Sequence, residues 1–281
     1  MSLEKLENLL TKADKEGYGV GAFSIANMEM VMGVIKAAEE LNAPIILQIA
    51  EVRLPYSPLQ LIGPVMMKAA INAKVPVAVH LDHGISMECI MEALKLGFTS
   101  VMIDGSKYPL EKNINLTKQV IKEANKYGAS VEAEIGRVGG SEDGSEKISA
   151  MYTNSREAKR FFEETGVNAL AVGIGNAHGV YKGSPNLNFE VLKDVDENVN
   201  VPLVLHGGSG ISDDDFRKCV ALGIRKINIA TATFMSVAKN VKALCEKCDS
   251  VDYFKFHEAE INGAYLNAKK HIKIFGTENK A

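Results

Sequence analysis

Val75-Pro76-Val77-Ala78-Val79-His80-Leu81-Asp82-His83-Gly84 is the stretch that decides the fold. Its first half is apolar, β-branched and bounded by turn signals, so it reads as a buried strand. Its end offers a carboxylate, an imidazole and a glycine where the chain turns. A strand that finishes this way carries chemistry at its C-terminal end, the side on which parallel α/β proteins build their active sites.

Working outward, the same kind of run recurs along the chain: Gly19–Phe23, Pro44–Ala50, Pro76–Asp82, Ser100–Asp104, Ser130–Ile135, Asn168–Gly173, Pro202–His206 and Lys226–Ile229. Amphipathic segments with helical spacing lie between them, among them Ala26–Leu41, Met87–Leu96, Leu110–Tyr127, Arg156–Glu164 and Asp213–Leu222. Eight strands alternating with helices predict a parallel sheet closed as a single (β/α)8 TIM barrel over residues 1–281, followed by a helical C-terminal extension. An open doubly wound sheet is the alternative. In the extension, Tyr253, Phe254, Phe256, Tyr265 and Phe275 supply an apolar stripe that would cap the barrel or meet another subunit.

A chain of 281 residues suits one barrel. Hydrophobic residues make up 46% and charged residues 24%, as in ordinary packed proteins. A formal net charge of -3 removes the general argument for nucleic-acid binding, which asks for a basic surface. No apolar run approaches the roughly 20 residues that span a bilayer, so no membrane association is expected. Cys89, Cys219, Cys245 and Cys248 stand away from the candidate chemistry, and no apolar leader precedes the first helix, so a reducing cytoplasm is the expected compartment. Cys245 and Cys248 form a lone C-x-x-C with no second pair to complete a zinc site.

Three of the six histidines fall at strand ends: His83, His178 and His206. Three imidazoles on one rim hold a zinc ion with one position left open for substrate. His80 lies inside its strand and reads as a hydrogen-bonded core residue; His257 and His271 sit in the C-terminal helices and receive no ligand role. Asp104 and Glu134 also close strands, where they would orient a ligand or take a second cation. The run His206-Gly207-Gly208-Ser209-Gly210-Ile211 precedes a helix start at Ser212-Asp213-Asp214-Asp215. Loops after the seventh and eighth strands of such barrels commonly hold phosphate, and Asn228-Ile229-Ala230-Thr231 adds an amide and a hydroxyl there. The long connection Arg137–Asn154, with Gly139, Gly140 and Gly144, reads as functional because so long a loop is uncommon in a barrel.

Taken together, Leu81-Asp82-His83-Gly84, Asp104-Gly105-Ser106, Glu132-Ala133-Glu134-Ile135-Gly136, Gly139-Gly140-Ser141-Glu142-Asp143-Gly144, Ala177-His178-Gly179, Gly207-Gly208-Ser209-Gly210 and Asn228-Ile229-Ala230-Thr231 resemble the class II, metal-dependent ketose-bisphosphate aldolases over nearly the whole chain. The resemblance implies that His83, His178 and His206 ligate one catalytic Zn2+, with Asp104 and Glu134 near a second cation position, divalent or monovalent. It makes Asp82 the acid/base at the C4 hydroxyl and Glu142 the group exchanging a proton with dihydroxyacetone phosphate. Gly179, Lys182, Gly207, Gly208, Ser209, Asn228, Ile229, Ala230 and Thr231 would hold that substrate and its phosphate. The implied reaction is reversible cleavage of tagatose or fructose 1,6-bisphosphate to dihydroxyacetone phosphate and glyceraldehyde 3-phosphate, by a homodimer or homotetramer. The segments Glu134–Arg137, Ala177–Tyr181 and Asn228–Thr231 look more like the tagatose branch. Cleavage leaves negative charge on the dihydroxyacetone half, which a Lewis acid on its oxygens stabilises without a Schiff-base lysine.

Three departures stand out: Ser24 where many relatives have asparagine, Ala232 where many have an acidic residue, and no arginine in the C-terminal part for a second phosphate. Competing readings are an aldolase for another phosphorylated ketose, a Schiff-base aldolase using Lys107 or Lys226, and a non-catalytic sugar-phosphate-binding barrel.

Overall fold

Strands and helices alternate along the chain in the order that the apolar runs predict. The computed structural model describes residues 2–140, 149–179, 181, 183, 185–247 and 250–281. The strands are β1 (Val20–Ser24), β2 (Ile45–Ala50), β3 (Val77–Gly84), β4 (Ser100–Ile103), β5 (Ser130–Ile135), β6 (Ala169–Val172), β7 (Leu203–Leu205) and β8 (Ile224–Ile229). They pair in parallel in sequence order, and β8 returns to β1 to close a (β/α)8 barrel.

The helices are α1 (Leu6–Glu16), α2 (Met28–Glu40), α3 (Leu59–Asn72), α4 (Met87–Lys95), α5 (Leu110–Tyr127), α6 (Ser155–Thr165), α7 (Phe189–Asn198), α8 (Asp213–Ala221), α9 (Thr231–Cys245) and α10 (Tyr253–Ile274). Many begin where sequence chemistry says they should. Asn27, Ser86, Asn154, Asn188, Ser212 and Asp252 each accept a backbone N–H of the first turn that follows. Helix α3 is absent from the amphipathic pattern because it is apolar almost throughout and carries Pro64. Among the described residues, no helix is long and apolar enough to cross a membrane.

Side chains alternate across each strand, so every second residue enters the barrel. At the lower end these are Val20, Ala22, Ile46, Ala78, Met102, Ala169, Ala171 and Val204, which form one cluster with Leu6, Leu9, Leu10 and Ala13 of α1. Helix α1 thus closes the N-terminal mouth. Two residues further along, the same interior faces turn polar: Ser24, Gln48, His80, Glu132 and Lys226 are all buried. The barrel is dry at the bottom and charged at the top.

The C-terminal extension differs from the aromatic stripe that the sequence suggested. Tyr253 and Phe254 are exposed, while Phe275 is buried in the core and Tyr265 packs against it; α10 also buries Gly263, Ala264, Asn267, Ala268, His271 and Ile272. It packs on α2 and α9 through small residues: a Cβ on Gly33 would lie 2.3 Å from the Ile261 carbonyl oxygen, and one on Gly263 2.5 Å from Val237 Cα. Backbones approach this closely only without side chains between them.

Candidate active site

Strict alternation would send Asp82 and His83 to opposite faces of β3. The pairing of β3 with β4 shifts register between Leu81 and Gly84, and His83 adopts φ 42°, a left-handed conformation uncommon for any residue other than glycine. Such a shift re-aims side chains, and both residues reach the mouth. Gly84 permits it: a Cβ there would lie 2.3 Å from the Met102 carbonyl oxygen.

His83, His178 and His206 converge as the sequence predicts. Their ring centroids stand 4.5 Å (His83–His206), 4.8 Å (His83–His178) and 6.0 Å (His178–His206) apart. Each ring is turned by its neighbours. His83 Nδ1 meets Asp104 Oδ2 at 3.0 Å, and His206 Nε2 meets Glu132 Oε1 at 2.8 Å. The two remaining nitrogens, His83 Nε2 and His206 Nδ1, face each other at 2.8 Å. Burial, together with the charge each imidazole would place on the others, holds His178 and His206 well below the ordinary histidine range. They are therefore neutral at pH 7, the form that binds metal. One ligand atom from each of the three residues lies within 4.8 Å of the others. Three converging imidazoles, two of them, His83 and His206, oriented by carboxylates, are the donor set of a three-histidine zinc site, so these residues fit the metal.

Asp82 is fully buried beside them. Asn228 Nδ2 donates to its Oδ1 at 3.0 Å and Gln48 Nε2 to its Oδ2 at 3.0 Å, while Gln48 Nε2 also reaches Ser24 Oγ at 3.2 Å. Two amides hold the carboxylate in one plane. Ser24 thus acts through Gln48, a residue the sequence reading passed over because nothing in the local pattern marks it.

Below the histidines lies a buried ionic layer. Lys226 Nζ is 2.9 Å from Glu132 Oε2 and donates to Asn228 Oδ1 at 2.7 Å, with both charged side chains at 0% exposure. His80 donates or accepts at Ser100 Oγ (2.8 Å), in keeping with a core role, and burial keeps it well below the usual histidine pKa. An ammonium paired this way is unsuited to Schiff-base chemistry, which needs a neutral amine. Lys107 instead lies over the Tyr108 ring.

Asp104 and Glu134 join His83 in a second group whose ligand atoms fall within 4.8 Å. Glu134 is pushed up by burial and by the Asp104 carboxylate. Burial opposes ionisation of Asp104 too, but hydrogen bonds from His83 and Ser106 win and hold it well below the usual carboxylate range.

The loops after β6 and β7 are tied to the same centre. Tyr181 Oη accepts from Ala177 N–H (2.8 Å) and donates to the Gly207 carbonyl (3.0 Å), and Asn176 Nδ2 donates to the His206 carbonyl (2.9 Å). Gly207 has φ 64°, and a Cβ there would stand 2.2 Å from the Ala177 carbonyl oxygen. Gly179 also has positive φ with open space before it. Gly208 N–H donates to the Asn228 carbonyl, and Ser209 Oγ accepts from Ala232 N–H in the first turn of α9. Thr231 opens α9, so a helix N-terminus meets the Gly-rich loop, a natural anion cradle. Ile229 and Ala230 are buried and offer the site backbone only. Glu142 and Lys182 lie outside the described residues, as does Cys248.

Comparison with known proteins agrees over the full length. A family model described as class-II fructose-bisphosphate aldolase matches residues 4–280. The fructose-bisphosphate aldolase of Staphylococcus aureus (strain Mu50) is 38% identical over 287 residues, covering 100% of both chains. That of Staphylococcus epidermidis (strain ATCC 12228) is 37% identical with the same coverage. Among solved structures, the YdjI aldolase from Escherichia coli K12 superposes with a TM-score of 0.90 at 36% identity over 99% of each chain. The fructose-bisphosphate aldolase of Campylobacter jejuni shares the fold at a TM-score of 0.83 and 22% identity, over 98% of this chain and 95% of that one.

Proposed function

We infer, from the premise that the chain belongs to the class II fructose-bisphosphate aldolase family, that it cleaves a ketose 1,6-bisphosphate between C3 and C4 with a divalent metal, zinc, held by His83, His178 and His206. The observation that carries this is the convergence of three imidazoles beside a buried carboxylate that two amides hold in place. The bound ion would supply Lewis acidity toward the C2 carbonyl and C3 hydroxyl oxygens. Everything else falls to side chains.

In cleavage, Asp82 accepts the C4 hydroxyl proton; the C3–C4 bond breaks, C4 becomes the aldehyde carbonyl, and the electron pair stays with the dihydroxyacetone half. Condensation reverses each movement, with Asp82 returning the proton to oxygen. Glu142 is assigned proton exchange at C3 of dihydroxyacetone phosphate. Gly179, Lys182, Gly207, Gly208, Ser209, Asn228 and the backbone of Ile229, Ala230 and Thr231 are assigned to that substrate and its phosphate, supported by the open glycine loop and the start of α9. Asp104 and Glu134 are assigned a second cation, divalent or monovalent. The same reading takes residues 1–281 as one domain in a cytoplasmic homodimer or homotetramer.

Tagatose and fructose 1,6-bisphosphates differ in configuration at C4, where Asp82 acts. The names of the relatives favour fructose and the local segments around Glu134, His178 and Asn228 favour tagatose. Cleavage of both by metal-loaded protein, with Asp82→Asn alongside, tests the proposal. Cleavage of either that falls at least a hundredfold in Asp82→Asn supports it; no cleavage of either by the wild type would turn the reading to another phosphorylated ketose or to a non-catalytic barrel.

A further inference from the structure

His178 and His206 are carried by segments that have already left the sheet. The ladder between β6 and β7 pairs Leu170 with Leu203 and Ala171 with Val204, and the two strands end one residue later, at Val172 and Leu205. His206 follows its strand directly, whereas residues 173–177 separate His178 from β6. The β6–β7 ladder therefore stops short of both ligands. On the side of β5 the His178 segment is held by backbone: His178 N–H donates to the Gly139 carbonyl (2.7 Å), and Gly139 N–H to the Asn176 carbonyl (3.0 Å).

On the side of β7, side chains take over where the ladder ends. Asn176 is fully buried; its Oδ1 accepts from Ile174 N–H (2.8 Å), which leaves Nδ2 aimed at the His206 carbonyl (2.9 Å). Tyr181 reaches the next carbonyl along. Its Oη accepts from Ala177 N–H (2.8 Å) and donates to the Gly207 carbonyl (3.0 Å). Ala177 precedes one histidine and Gly207 follows the other, so a single hydroxyl joins the two ligand segments at the residues that flank the ligands. The ring keeps that hydroxyl in place by lying against the glycine loop, where a Cβ on Gly210 would stand 3.0 Å from Tyr181 Cδ2. A phenol has one proton, and here it is committed to the Gly207 carbonyl.

Resting on the metal site of the aldolase reading above, we propose that Tyr181 is a positioning residue whose hydroxyl sets the spacing of His178 and His206 around the metal. It acts through Ala177 and Gly207, not on the reacting atoms. Groups that orient metal ligands from behind typically hold a tenfold to hundredfold share of metal affinity. A ligand displaced by a fraction of an ångström also weakens the stabilisation of charge that develops during cleavage.

The test compares Tyr181→Phe, which keeps the ring and deletes only the hydroxyl, with Thr277→Val. Thr277 is a buried hydroxyl bonded to the Gly19 carbonyl, just before β1 at the opposite end of the barrel, so its loss costs stability without touching the site. Each protein is titrated with zinc against a chelating indicator well below its melting temperature, and bisphosphate cleavage is then measured at saturating zinc. In Tyr181→Phe zinc affinity is expected to fall at least tenfold, and kcat at least tenfold with KM within about threefold. Thr277→Val should lower the melting temperature and leave zinc affinity and kcat within twofold of wild type. A Tyr181→Phe protein that melts lower but binds zinc within twofold of wild type overturns the inference and leaves the aldolase reading standing. Wild-type protein that holds zinc yet cleaves neither bisphosphate overturns the aldolase reading, and the zinc comparison still decides the role of Tyr181. Wild-type protein that takes up no zinc overturns both.

Discussion

Lys226→Met removes one member of the buried ion pair beneath the histidines and leaves Glu132 without its cation. Both side chains are at 0% exposure and 2.9 Å apart. Breaking such a pair from one side costs about 3–5 kcal/mol, because the remaining charge has lost its water and its partner together. At roughly 2–4 °C per kcal/mol for chains of this size, the metal-free protein should melt about 6–20 °C lower. Glu132 also fixes His206 through Nε2, so zinc affinity should fall about 10- to 100-fold. Lys226→Met with Glu132→Gln should recover part of the stability, since no buried charge is then unpaired, but not the zinc affinity. Urea unfolding of the metal-free proteins and zinc titration of each variant supply the numbers. A single variant within about 0.5 kcal/mol of wild type, with unchanged zinc affinity, refutes the reasoning.

Two further outcomes follow from the geometry. His271 is buried on α10, donating or accepting at the Asn267 carbonyl, and burial lowers its pKa to about 4. The unfolded chain therefore takes up a proton between about pH 6.5 and 4 that the folded chain refuses, so stability should fall by up to about 3 kcal/mol as pH drops through that window; urea midpoints of wild type and His271→Gln across pH 4–7 should differ in slope, and parallel slopes would count against it. Gly207→Ala forces a Cβ to within 2.2 Å of the Ala177 carbonyl oxygen at φ 64°. The His178 segment must then shift, and kcat/KM should drop about a hundredfold or more; steady-state kinetics near the wild-type value would show that the loop has room to spare.

The barrel was legible in the sequence because each strand announces itself locally, by a short β-branched run between turn residues. His83 and His206 are legible because they stand where those runs stop, and His178 because it follows the sixth run in the loop on the same rim. What stayed hidden depends on register between strands far apart in sequence. Gln48 reaches Asp82 across 34 positions and Glu132 reaches His206 across 74. No local pattern marks either contact. From the sequence Lys226 is a candidate Schiff-base lysine, and the pairing with Glu132 explains why a lysine can sit in a barrel interior at all. The turn of His83 toward the mouth was likewise invisible, since alternation alone would face it away from Asp82. The stripe expected on the last helix holds at Tyr265 and Phe275 and departs at Tyr253 and Phe254 for a different reason: aromatic residues signal burial, but α10 meets α2 and α9 so closely that glycine and alanine line the contact.

The central claim is that the three histidines hold the metal on which cleavage depends. Its most direct measurement is cleavage of tagatose and fructose 1,6-bisphosphates before chelation, after chelation and after zinc is restored, with bound metal counted at each stage and borohydride trapping run in parallel. The expected result is one tightly held ion per site, lost with activity and regained with it, no trapped adduct, and no recovery in His206→Ala. Cleavage that ignores the chelator, or a borohydride adduct on Lys107 or Lys226, would contradict the account.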